Sequence, residues 1–261
     1  MTGRQITDLL QRRSDLSTFL VHLTRSTADL SARDVLLRIV CEHTLRAGRP
    51  MGMASADHLP QEVLATQRTV CFTETPLEHV WMLVEEIADR QVNLEPYGIA
   101  FTKSWARRRG VNPIWYLDIT RGHDWLTTPV NTLVTEAVDG RAGRWDPDAG
   151  AWVPYALVEH PVLRLAPFFE QMGSPAERRK EFWWEREWRH VGDLTFNRPD
   201  VVALFVPFAD HEAFHRDWSE IFGNLGYATD WPFALLDPTW GLERMIASLA
   251  RVQPADVGPF P

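Results

Sequence analysis

Short apolar runs alternate along the chain with stretches of helical period, and each run predicts an element. TFLVHLT (18–24) carries the β-branched and aromatic residues of a strand. The next stretch, TADLSARDVLLRIVCEHTLRAG (27–48), predicts a helix closed by Gly48. RTVCFTE (68–74) predicts a second strand, and Pro76 opens the helix PLEHVWMLVEEIADR, because a first turn does not need the N–H that proline lacks. YGIAF (97–101) and NPIWYLD (112–118) predict two more strands, separated by the short basic helix KSWARRRG. The segment from Gly140 to Pro154, GRAGRWDPDAGAWVP, is rich in turn formers and predicts a loop-like insertion or a lid. A strand around Glu187, another at VVALFVPF (201–208) and two helices complete the pattern. The irregular alternation predicts an α+β fold in a single domain, with a mixed sheet flanked by helices, in preference to a doubly wound one.

The densest chemistry lies in EFWWEREWRH (181–190). On a helix, Glu185 and Glu187 would diverge; on a strand they share one face with Arg189, while Trp184, Arg186 and Trp188 take the other. The strand reading makes a site of the paired carboxylates. Its plain counterpart is a solvated edge strand whose glutamates pair with Arg186 or Arg189 above packed tryptophans. A third reading, a basic and aromatic surface for single-stranded nucleic acid, is diluted by the interleaved glutamates.

Composition narrows the field. At 261 residues and 45% hydrophobic content the chain can bury one large core, and a formal charge of −8 argues against generic binding to a nucleic-acid backbone. No run of about 18 apolar residues occurs, and the first 20 residues lack an apolar signal core, which predicts a soluble, cytoplasmic protein with no membrane partner. Cys41 and Cys71 stand far apart without a CxxC pair and are expected to be reduced and buried.

Two further motifs carry chemistry. In the first strand His22 and Thr24 are two apart and share a face. HEAFH (211–215) matches H-E-x-x-H, in which histidines one helical turn apart hold zinc and the glutamate activates water. Asp210 reads as the N-cap of that helix, which puts His211 and Glu212 in its first turn, and only Glu243 offers a third ligand. No metal is therefore expected, and a zinc peptidase ranks below the other readings. The cations of WARRRG read as a helix end that complements its dipole.

VCFTETPLEHV, YGIAFTKSWARRRGVNPIWYLD and EREWR together resemble the AbiGi-type family of bacterial abortive-infection proteins, associated with phage resistance and described as antitoxins. That resemblance implies a cognate toxin as partner. The ordered H-x-T, tyrosine and E-x-E positions resemble DarT-like ADP-ribosyltransferases, which implies that fold, NAD as substrate, and a protein or nucleic-acid acceptor. Cleavage of the nicotinamide–ribose bond passes through an oxocarbenium-like state that a nearby carboxylate stabilises. By this resemblance Glu187 would hold the ribose 2′-hydroxyl and Glu185 would orient the acceptor. His22 and Thr24 would bind the adenosine side, and Tyr97, or alternatively Tyr116, would stack on nicotinamide.

Overall fold

The computed structural model describes residues 15–49, 59–85, 93–140, 143–154, 156–174, 183–224 and 232–252. In chain order the elements are β1 (Phe19–Leu23), α1 (Ala32–Glu42), β2 (Thr44–Leu45), α2 (Gln61–Thr66), β3 (Thr69–Thr73), α3 (Trp81–Val84), β4 (Gly98–Thr102) and α4 (Lys103–Arg108). There follow β5 (Asn112–Pro113), β6 (Trp115–Asp118), α5 (Thr127–Val138), β7 (Gly143–Asp146), β8 (Ala151–Pro154), α6 (Pro161–Leu165) and β9 (Phe169–Met172). The last are β10 (Glu187–Val191), β11 (Leu194–Thr195), β12 (Val201–Phe205), α7 (His211–Asn224), β13 (Ala234–Leu236) and α8 (Leu242–Leu249). The protein is a mixed α and β chain whose large mixed sheet is flanked by helices. Its residues group into two compact units, the first made of 1–45, 72–109 and 195–261, the second of 46–71 and 110–194.

Unit 1 is built on the strand order β13-β12-β4-β1, with Phe72 and Thr73 at the end of β3 beyond β1. β1 runs antiparallel to β4 in the register Val21↔Ala100, β4 antiparallel to β12, and β12 parallel to β13. Leu20, Ile99, Phe101, Leu204 and Phe205 are fully buried, as expected of central strands covered on both faces. Gly98 is required where β4 starts, because a Cβ there would stand 2.6 Å from the His22 carbonyl oxygen. Helix α1 starts on Ser31, whose hydroxyl accepts from the Asp34 N–H, and buries Leu36 and Val40. It ends at His43 in left-handed geometry (φ 51°), so the predicted helix to Gly48 stops five residues early and passes into β2. α1 packs against α7, which buries Phe214, Trp218 and Phe222 at helical spacing.

Unit 2 holds the first half of β3 with β10 and β5, the parallel pair β6–β9, and the hairpin β7–β8. Leu59, Val63, Ala137, Val162 and Leu163 form its helical core, and the buried Gln67 side chain donates to the Leu163 carbonyl at 2.9 Å. Two expectations need correction here. The turn-rich segment 140–154 is not a loop: its described residues pair Trp145 with Trp152 across a hairpin turned at Gly150 (φ 60°). NPIWYLD is two strands, because Asn112 and Pro113 pair with β10 whereas Trp115 to Asp118 pair with β9.

Elsewhere the predicted helix from Pro76 is a 3₁₀ turn, Leu77–His79, followed by the short α3, and its end at 86–90 lies outside the described residues.

Candidate functional site

Glu187 and Arg189 share a face of β10, as the period of two requires. Glu185 does not join them. It closes a 3₁₀ turn, Trp183–Glu185, and Arg186 then takes φ 48°, a left-handed conformation that interrupts the alternation before the strand begins. The expectation of a continuous strand carrying both carboxylates is therefore corrected: E-R-E spans a turn, a kink and a strand start.

Arg189 is the pivot of unit 2. It is 1% exposed, and its Nε and Nη2 donate to the two oxygens of Glu187 at 2.8 and 2.9 Å. Nη2 also donates to Glu170 Oε2 at 2.6 Å, while Nη1 donates to the Pro167 carbonyl at 2.9 Å and reaches that of Phe169 at 3.5 Å. Every N–H of the guanidinium thus has an acceptor, the condition under which a buried charge is tolerated. Burial opposes the charge, and Glu187 more than offsets it, so the Arg189 pKa lies above its ordinary value. The Glu187 N–H donates to the Tyr116 hydroxyl at 3.0 Å. Burial raises the Tyr116 pKa, and the Glu187 and Glu185 charges add to it. Cys71, at the end of unit 2's part of β3, is half-buried, and burial together with Glu187 pushes its thiol up to about 12. Tyr116, Glu187, Arg189, Glu170 and Cys71 therefore form one connected polar cluster.

The other predicted residues lie in unit 1. Thr24 is buried, and its hydroxyl donates to the Ala32 carbonyl at 2.9 Å, pinning the start of α1. The Thr24 N–H donates to the Tyr97 carbonyl at 2.8 Å. Half-buried His22 sets its ring edge-on to Phe72 at 5.8 Å. The Tyr97 hydroxyl donates to Asp210 at 2.5 Å; burial, then Asp210, raises its pKa. Close by in this unit, Arg33 pairs with Asp217 at 2.5 Å and lies over the Phe214 ring. Structure thus joins Thr24 to Tyr97, and Tyr116 to Glu187.

Asp210 is not the N-cap of the HEAFH helix. It ends a 3₁₀ turn, Phe208–Asp210, that leads directly into α7. His211 Nε2 donates to the Val206 carbonyl at 2.9 Å, and His215 is exposed one turn on. Among the described residues no three His, Cys, Asp or Glu are grouped to hold a metal ion, and no helix is long and apolar enough to cross a membrane.

What the composition did not single out is where the tryptophans stand. In unit 2, Trp115, Trp125, Trp145, Trp152 and Trp183 are 56–78% exposed. Trp145 and Trp152 sit directly opposite each other on the hairpin. The signal was available, since tryptophan flanked by charge and turn formers in RWDPDAGAW cannot face a core from a two-stranded ribbon.

Residues 61–206, more than half of the chain, match the family described as "Putative abortive phage resistance protein AbiGi, antitoxin", and the chain belongs to this family. It is also similar to a "Probable dipeptidase" of Salmonella dublin, 27% identical over 131 residues. That stretch is 49% of this chain and 28% of the other, so the chain spans less than a third of that relative. No solved structure matches.

Proposed function

We propose that the protein acts in phage defence as an antitoxin that neutralises a cognate toxin by binding it, with the exposed tryptophans of unit 2 as the contact surface. The observation that carries this reading is that all five lie within the family-matched segment, each more than half exposed. Tryptophan is the residue type most enriched at binding hot spots, and leaving it in water costs an isolated protein solubility. The transferase reading asks Glu187 to hold a ribose hydroxyl with a side chain that is only 14% exposed and already accepts from Arg189 at both oxygens. The peptidase reading, raised by HEAFH and by the name of the Salmonella relative, asks for a third ligand beside two histidines, and among the described residues no three His, Cys, Asp or Glu are grouped to hold an ion.

The test is co-expression with the product of the neighbouring gene. Copurification and rescue of growth are expected, and Trp145→Ala with Trp152→Ala should weaken the complex by roughly a hundredfold while the melting temperature stays put. Nicotinamide release from NAD by the purified protein, with rescue lost only in variants that stop that release, would replace binding by catalysis as the mode of action.

A further inference from the structure

Unit 1 contains a cavity of about 410 Å³ that the proposed function does not use, lined among others by Phe208, His211, Phe233, Trp240, Arg244 and Arg251. This volume falls in the range of small-molecule sites. The Arg244 guanidinium lies 4.2 Å from the Trp240 ring centroid and 4.8 Å from that of Phe208. His211 meets both rings edge-on, at 5.5 and 5.4 Å. Burial lowers the His211 pKa, and because a carbonyl can only accept, its bond to Val206 fixes the proton on Nε2. An arginine held over aromatic faces keeps its in-plane N–H groups for another acceptor. Among the described residues, neither Arg244 nor Arg251 is in an ion pair with a carboxylate.

Arg251 adds an independent observation. Helix α8 ends in a Schellman arrangement, the Arg251 N–H bonding the Ser248 carbonyl at 3.0 Å and the Val252 N–H that of Ala247 at 2.9 Å. Its left-handed position, φ 57°, is the one that glycine fills most readily. Here an arginine occupies it and lines the cavity, one Nη2–H reaching the Pro232 carbonyl at 3.2 Å. Two arginines in an aromatic lining, in a chain of net charge −8, select a ligand that offers both a flat apolar body and negative charge.

We propose that this cavity binds a small planar aromatic anion, its ring system among Phe208, Phe233 and Trp240 and its anionic group on Arg244 and Arg251. The probes are anilinonaphthalene sulfonate, an aromatic anion, and phenylnaphthylamine, its uncharged analogue, titrated by fluorescence into the full chain. The sulfonate should bind at least tenfold more tightly, and Arg244→Gln and Arg251→Gly should each remove about tenfold of sulfonate affinity while leaving the neutral dye unchanged. Arg251→Gly suits the helix end, so its loss of affinity cannot come from unfolding; an unchanged or raised melting temperature certifies this. Displacement of the sulfonate by adenosine monophosphate assigns a phosphate-bearing ligand, and displacement by N-acetylphenylalanine a carboxylate-bearing one. Equal affinity for the two dyes, sulfonate binding indifferent to both arginine variants, or displacement by neither competitor would overturn the proposal.

Discussion

Arg189 has five N–H groups to satisfy where water does not reach, and two carboxylates plus two backbone carbonyls do so. Lysine carries the same charge but only three N–H groups around one nitrogen, so it cannot reproduce the planar fork that holds Glu187 while also reaching Glu170 and the two carbonyls. Arg189→Met, which leaves Glu187 and Glu170 buried without their cation, is expected to destabilise unit 2 by about 3–5 kcal/mol, as read from urea denaturation. A loss below 1 kcal/mol would mean that the cluster is not structural. Replacing Arg189, Glu187 and Glu170 together by apolar residues of similar size should recover most of the loss, since the desolvation cost disappears with the charges. Cys71 reports on the same cluster. Its thiol, held up to about 12 by burial and Glu187, should alkylate with iodoacetamide at pH 8 roughly a thousandfold more slowly in the native protein than in urea. Equal labelling rates in the two conditions, by mass spectrometry of the Cys71 peptide, would contradict that placement.

At the scale of elements, periodicity served well where one face is buried and badly where a single residue changes backbone region. The strands at 19–23, 69–73, 98–102 and 201–205 follow from their β-branched and aromatic runs, and the amphipathic spacing of Phe214, Trp218 and Phe222 marks α7. The family was likewise legible in three quoted stretches, because these combine rare residues in a fixed order. The candidate site was legible only in part. Period two correctly brings Glu187 and Arg189 to one face, but no alternation rule announces that Arg186 adopts φ 48°, and this removes Glu185 from the strand. Nor does any local pattern reveal Glu170, which reaches Arg189 from a different strand. The hairpin β7–β8 was hidden because its strands are short and mostly exposed, so they lack the alternation that burial would impose. Gly98 shows the opposite case, a residue whose smallness is a packing requirement. With the His22 carbonyl and the Leu23 side chain both within 3 Å of where a Cβ would stand, Gly98→Ala should cost about 1–3 kcal/mol in thermal or urea unfolding. An unchanged stability would show that β4 can retreat from β1 without penalty.

At the scale of the whole molecule, three histidines among the described residues couple stability to acid. Burial lowers the pKa of His43, with Arg198 adding to it, and burial likewise lowers those of His160 and His211. As pH falls through about 6.5 the unfolded chain takes up protons that the folded one refuses. The stability these residues contribute is therefore complete above about pH 6.5 and is lost as pH drops from there toward their depressed folded values. Denaturation at a series of pH values from 7.5 to 5 should give a falling free energy of unfolding with net proton uptake; a flat or rising profile would exclude these burials.

The strand order of unit 1 has a consequence in time. β4 ends at Thr102, and its second neighbour, β12, begins only at Val201, with β13 later still. A ribosome working at about 5–20 residues per second takes roughly 5–20 s to cross that interval. For most of it, the edge of β4, which carries Ile99 and Phe101, lacks the strand that will pair with it. During each round of synthesis the nascent chain thus presents an unpaired sheet edge for far longer than a hairpin takes to form.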